Sequence, residues 1–225
     1  GGYDQNLKKN DQPGAISVFS GQQWQNEAFQ QQSDFTDILV DPKNSRHLYI
    51  GSWGGGLLEL RNGEVENQFI EDNSTLKPYD DQGIRVHAMN FDEKGNLWML
   101  NHGAEHPIKF RGVDEEWQVF EYELLKDKVL KGLISAKNGY KWGYIHQSPY
   151  LVVIDEGNTP ADPNDDRVIL KEPKDYQGQS FARKIYAIEE DRKGNIWIAM
   201  DEGIGVDFDP QRVFDRENYQ INRPR

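Results

Sequence analysis

The chain has 225 residues, 26 Lys and Arg against 38 Asp and Glu, a formal net charge of -12 and no cysteine. That balance disfavours a phosphate backbone as partner, and the missing thiols exclude a disulfide framework, a thiolate zinc site and a cysteine nucleophile. The longest apolar run, Tyr150 to Ile154, falls far short of the roughly 20 residues that span a bilayer, so no transmembrane segment is expected in this chain.

Six tryptophans, ten tyrosines and ten phenylalanines supply the large rings for a core in a chain that is only 36% hydrophobic. In chain order, residues 12–30 read as half of a strand unit, through Ala15–Phe19 and Gln22–Gln25. Four longer units follow, at about 37–75, 86–124, 133–172 and 185–222. Each opens with a short strand, makes a polar turn, carries an aromatic strand, turns again and runs into a third strand. Tyr49, Trp98, Trp142 and Trp197 hold the same slot in the four copies. The first turns read Lys43-Asn44-Ser45-Arg46, Glu93-Lys94-Gly95-Asn96, Lys137-Asn138-Gly139-Tyr140 and Arg192-Lys193-Gly194-Asn195, rich in residues that tolerate positive φ. Candidate fourth strands are Val65–Ile70, Trp117–Tyr122, Asp166–Leu170 and Tyr219–Asn222. Helical periodicity is weak, with a turn or two expected only within Glu121–Lys131. Four antiparallel strands recurring every ~40–50 residues predict an all-β chain, a β-propeller of four-stranded blades. With four and a half blades in view, the ring is expected to be completed outside this sequence.

Loops displayed by a rigid frame are where binding groups collect. The turns between second and third strands carry Trp53, His102, His106, His146, Tyr150 and Asp201, and three of the chain's five histidines. A tryptophan, histidines and a tyrosine around one rim predict a sugar site, through ring stacking and hydrogen bonds. An anionic ligand would instead need Lys77, Arg85, Lys126, Lys128, Lys131, Lys174, Arg183 or Lys184 from the neighbouring loops, while Tyr79–Gly83 reads as a solvated acidic turn. His102 and His106 stand four apart, but Gly103 and Pro107 argue against the helix a zinc pair would need. Asp155, Asp162, Asn164, Asp165 and Asp166 crowd oxygen donors into one hairpin, a candidate calcium loop without the EF-hand spacing. No other cofactor is expected. No Gly-x-Ser-x-Gly elbow or phosphate-cradling glycine loop occurs, so catalysis is not expected either.

The Asp-x-Lys-Gly-Asn-[Leu/Ile]-Trp runs at Asp92 and Asp191 resemble the two-component regulator propeller family of Bacteroidetes. Residues 133–225 resemble a narrower group, the PorZ-type proteins of type IX secretion. The resemblance rests on Lys137–Trp142, Val153–Pro160, Asp162–Arg167 and the closing Asn222–Arg225. It implies a periplasmic or cell-surface protein that binds anionic lipopolysaccharide and works beside a sortase or another secretion component. Two alternatives stand beside it: the glycan-sensing periplasmic propeller of a hybrid two-component histidine kinase, and a carbohydrate-active enzyme on the same fold.

Overall fold

The structure is a computed structural model that describes residues 2–4, 6–157, 165–180 and 182–223. It holds seventeen strands and three single turns of 3-10 helix. Strands β1 (Pro13–Ser20) and β2 (Gln23–Ser33) form a two-stranded hairpin. The first full sheet is β3 (Phe35–Asp41), β4 (Asn44–Gly54), β5 (Leu57–Arg61) and β6 (Glu64–Phe69). The second is β7 (Ile84–Phe91), β8 (Leu97–Asn101), β9 (Ile108–Arg111) and β10 (Trp117–Val119). The third is β11 (Leu130–Ser135), β12 (Lys141–Ile145), β13 (Leu151–Asp155) and β14 (Arg167–Lys171). The last has β15 (Ile185–Glu190), β16 (Ile196–Met200) and β17 (Gly203–Asp207). The stretch Tyr219–Asn222, read from the sequence as its fourth strand, is reduced to bridges: Asn222 pairs with Val206 and Gln220 with Lys174. The turn at Pro210–Arg212 fills the connection, and splitting the pairing between two partners prevents a continuous ladder.

The described chain divides into two compact units, residues 1–89 with 99–104, and residues 90–98 with 105–225. In the first, Ile50, Leu58 and Leu60 pack with Ile16, Phe29 and Phe35. Strand β4 also pairs with β7, Trp53 opposite Arg85. In the second unit, Trp142, Leu151 and Val153 pack with Ile185, Ile196, Ile198 and Met200, closed by Val213, Tyr219 and Ile221. Strands such as β5 and β13 are buried on both faces, which explains their near-continuous apolar runs.

The repeated turn has a chemical reason. The Asp92 carboxylate accepts from the Asn96 backbone N–H at 2.9 Å, the Asn96 amide at 2.9 Å and the Trp98 indole Nε1 at 3.0 Å. Asp191 repeats this with Asn195 and Trp197 at 2.8–3.0 Å. One acid thus satisfies an indole, fully buried at Trp98 and half-buried at Trp197, and closes the turn, while Gly95, at φ +91°, takes the left-handed corner. These hydrogen bonds keep the Asp191 carboxyl far below the usual carboxylate range, led by the Trp197 indole. Asp92 is also held low, because hydrogen bonds from Asn96 and Trp98 together outweigh the opposing cost of burial. In the third sheet the backbone of this turn is kept and the acid is lost: Ala136 N–H donates to Tyr140 O at 2.8 Å and Gly139 N–H to Ala136 O at 2.9 Å. Trp142 is fully buried there and its Nε1 has no partner.

Candidate functional site

The loops expected to form a ligand rim lie in both units, and each cluster is built differently. In the first unit, Trp53 ends β4 and is 0% exposed. Its Nε1 donates to Leu7 O at 2.9 Å, and its ring packs on Tyr3 at 4.1 Å and His102 at 4.7 Å between centroids. Trp53 therefore anchors the loop from beneath and offers no ring face for stacking a sugar. His102 is buried as well, between Trp53 and Tyr79.

The group that reaches the surface here is Tyr79, half exposed, lying over Arg85 with the guanidinium 4.5 Å from its ring centroid. Arg85 is 3% exposed, faces Trp53 at 5.2 Å and donates through Nη2 to Asp80 at 3.0 Å and Gln82 at 3.1 Å. Its Nε has no partner. A buried guanidinium between two rings with one carboxylate is a cation–π stack. Two devices fix the loop above it. Asn101, fully buried, accepts from Lys77 N–H at 2.7 Å and donates to Lys77 O at 3.0 Å. Gly103, at φ +76°, leaves the space that Tyr79 occupies: a Cβ there would meet Tyr79 Cδ2 at 1.9 Å. The Tyr79–Gly83 turn, read from the sequence as merely solvated, is thus the lid of this cluster. The signal for it was the pairing of Asp80 with Arg85 five residues on.

In the second unit, His146 and Tyr150 occupy the β12–β13 loop, His146 half-buried and Tyr150 exposed. The loop is tied down by His146 N–H to Val129 O at 2.8 Å and by Ile185 N–H to Ser148 O at 3.2 Å. Burial, then the charges of Lys131 and Lys184, push the His146 imidazole below its usual range; Lys131 is itself buried, while Lys184 is exposed. Asp201 accepts from the Arg183 and Lys184 backbone N–H groups at 3.0 and 3.3 Å, which sets Lys184 in place. Those contacts hold its carboxyl below the usual value against a desolvation cost. His106 belongs to this unit and His102 to the first, and the segment joining them is not helical.

Of the candidate calcium ligands, Asp162 and Asn164 lie outside the described residues. Asp155 is taken by Arg167, whose Nε lies 3.1 Å away, and Asp166 accepts from the Tyr122 hydroxyl at 2.7 Å. Burial, then Asp166, pushes the Tyr122 phenol far up. Asp165 sits against Gly157. Among the described residues no three His, Asp or Glu side chains converge as metal ligands. Likewise among those residues, no helix is long and apolar enough to cross a membrane.

With this geometry set out, comparison with known proteins adds the following. Residues 180–202, the strand pair around Asp191 and Trp197, match the family described as two component regulator propeller. No curated protein sequence matches the chain. Among solved structures, PorZ of Porphyromonas gingivalis, a surface component of its type-IX secretion system, superposes with a TM-score of 0.86 at 23% identity, over 95% of this chain and 31% of that one. The extracellular domain of a hybrid two-component system of B. thetaiotaomicron gives 0.58 at 18% identity, over 87% and 25%. The propeller domain of Cps50 (Swd1) from Myceliophthora thermophila gives 0.59 at 12%, over 87% and 63%. The fold is a β-propeller. The chain spans about a third of the PorZ length. A luciferin-regenerating enzyme also shares the fold, with a TM-score of 0.59 at 12% identity, so the fold by itself does not decide whether this propeller is catalytic.

Proposed function

We propose that this chain is a non-catalytic binding propeller of an extracytoplasmic protein, of the PorZ kind, that takes an anionic glycolipid such as lipopolysaccharide on the loops around His146. The observation that carries the reading is the whole-chain superposition on PorZ, at 0.86 against 0.58 for the two-component ectodomain. PorZ is described as an essential surface component of type-IX secretion, and the proposal places this chain at the periplasm or cell surface in association with such machinery. The anionic preference is supported by Lys184, exposed beside the loop that Asp201 fixes and close enough for its charge to act on His146, in a chain whose net charge is -12. Catalysis is not part of the proposal, because Asp80 and Asp201, the acids of the two clusters, are committed to Arg85 and to backbone N–H groups.

Calorimetry of the chain against purified anionic lipopolysaccharide and against neutral oligosaccharides tests this. Saturable binding to the lipopolysaccharide is expected, weakened about five- to tenfold by Lys184→Ala, the loss of one charge-assisted contact. His146 has a depressed folded value, so its neutral form prevails near neutrality and it gains a proton as pH falls below about 6.5. Affinity for the anion should rise across that fall and be flat in His146→Ala. Absence of saturable lipopolysaccharide binding overturns the reading. Binding of neutral oligosaccharides alone would favour the sensor reading, which rests on the family match at residues 180–202.

A further inference from the structure

The second unit carries an open groove of about 410 Å³ between the connection that follows β14 and the segment that follows the Pro210–Arg212 turn. Tyr176, Arg216, Asn218, Gln220, Ile221 and Asn222 line it. Its frame is main chain. Lys174 N–H donates to Tyr219 O at 2.9 Å and Ile221 N–H to Lys174 O at 3.0 Å, while Asn222 and Val206 exchange N–H to O bonds of 2.9 and 2.8 Å. Tyr219 and Ile221 are buried in the core of this unit, and the residues alternating with them, Asn218, Gln220 and Asn222, are exposed. On the other side of Lys174 the Asp175 carboxylate closes a tight turn, accepting from Gln177 N–H at 2.8 Å and Gln179 N–H at 2.9 Å. That turn presents Tyr176 at 82% exposure, the highest of any described large apolar side chain, with its hydroxyl accepting from Gln177 Nε2 at 3.3 Å.

The groups that reach the groove select a ligand chemistry. Among the described residues, the side-chain amides of Asn218, Gln220 and Asn222 make no hydrogen bond. Arg216 donates through Nη2 to Asp207 Oδ2 at 2.6 Å and to Asp209 O at 2.9 Å, so its charge is already compensated by an acid that is 1% exposed. No carboxylate lines the groove for a cation, and the paired guanidinium offers an anion little. An apolar ligand would strip water from three amides without replacing it. An extended peptide matches poorly as well: Gln220 N–H donates to Asn218 O at 3.0 Å, a three-residue turn that keeps the amides out of the straight row a strand-like ligand needs. A sugar unit is compact, has an apolar C–H face and carries neighbouring hydroxyls that each donate and accept. An amide sets an acceptor oxygen beside N–H donors, which suits two such hydroxyls, and an exposed phenol ring suits the C–H face. The volume falls within the roughly 300–1,000 Å³ of small-molecule sites.

We propose that this groove binds a neutral saccharide, with the Tyr176 ring as the stacking platform and the Gln220 and Asn222 amides reading neighbouring hydroxyls. The main-chain bonds to Lys174 and Val206 hold the segment that carries the amides, so they are presented from a fixed backbone. The site uses none of the groups around His146 and does not depend on lipopolysaccharide binding there.

The test is nitrogen-15 NMR of the full chain titrated with maltose, lactose and cellobiose, with inorganic phosphate and trialanine as contrasts. Saturable shifts of the Gln220 and Asn222 side-chain amides are expected for at least one disaccharide. Tyr176→Ala should weaken that binding about tenfold, the loss of the stacking face, and Gln220→Ala about five- to tenfold, the loss of one hydrogen bond. Both side chains are exposed, so both variants are expected to fold. Lys184→Ala, which weakens lipopolysaccharide binding, should leave the disaccharide titration unchanged. The proposal is overturned if no disaccharide gives a saturable shift at these amides, or if phosphate or trialanine binds there more tightly. It also fails if Tyr176→Ala leaves the affinity unchanged, or if Lys184→Ala weakens the disaccharide, which would move the site to the His146 loops. Failure here and failure of the lipopolysaccharide reading are therefore distinguishable.

Discussion

The turns at Asp92 and at Ala136 trace the same backbone with different chemistry. At Asp92 one carboxylate gathers an indole, an amide and a backbone N–H within 3.0 Å. At Ala136 backbone bonds of 2.8 and 2.9 Å close the turn, Asn138 Oδ1 accepts from Tyr140 N–H at 3.1 Å, and the Trp142 indole is left buried without a partner. The corner therefore keeps its shape without the acid at its first position. The acid adds satisfaction of the ring beneath it.

The comparison breaks most visibly at Asp92. Asp92→Ala strips the acceptor from Trp98 Nε1, which is fully buried, and should cost about 1–3 kcal/mol. Urea unfolding would register this as a lower midpoint at unchanged slope. An unchanged midpoint would mean the clamp is ornamental and the two turns are equivalent. The reverse change sharpens the contrast: Ala136→Asp should return an acceptor to Trp142 and raise stability by about 1 kcal/mol, more surely with Tyr140→Asn beside it. A loss would show that the buried site at Ala136 has no room for the added carboxylate.

A smaller effect is in pH. Asp92 has a lowered folded value, so its contribution is present above the ordinary carboxylate range and is lost as pH falls through and below it. Glu156 has a raised folded value, so its contribution is complete below its ordinary value of 4.5 and is lost as pH rises through the folded one. Thermal unfolding across pH 2–7 should thus show an acid-side decline that Asp92→Asn flattens and a gentler neutral-side decline that Glu156→Gln flattens. Identical profiles for both variants and the parent would remove the electrostatic part of the comparison.

The fold was legible because its repeat is written in side chains that close turns. Asp92, Gly95, Asn96 and Trp98 each have a local job, and the same jobs recur at Asp191, Gly194, Asn195 and Trp197. The expected fourth strand of the last sheet is formed only in part: Asn222 exchanges both backbone hydrogen bonds with Val206 of β17, while the apolar alternation at Tyr219 and Ile221 reflects packing with Trp142. The rim was only half legible. Loop position identified His146 and Tyr150 as surface groups, but it could not separate Trp53 from them, because a glycine-flanked tryptophan looks the same whether its ring points out or under.

The space at Gly103 has a consequence for how related sequences diverge. Tyr79 lies where any side chain at 103 would project, although the two positions come from loops on either side of β7 and β8. A family member that acquires a side chain at this position must also relocate or shorten its aromatic residue, uncovering the guanidinium beneath. The two loops are thus expected to drift in step, and a relative that has kept the glycine while losing the tyrosine would carry an open, positively charged notch at the same place.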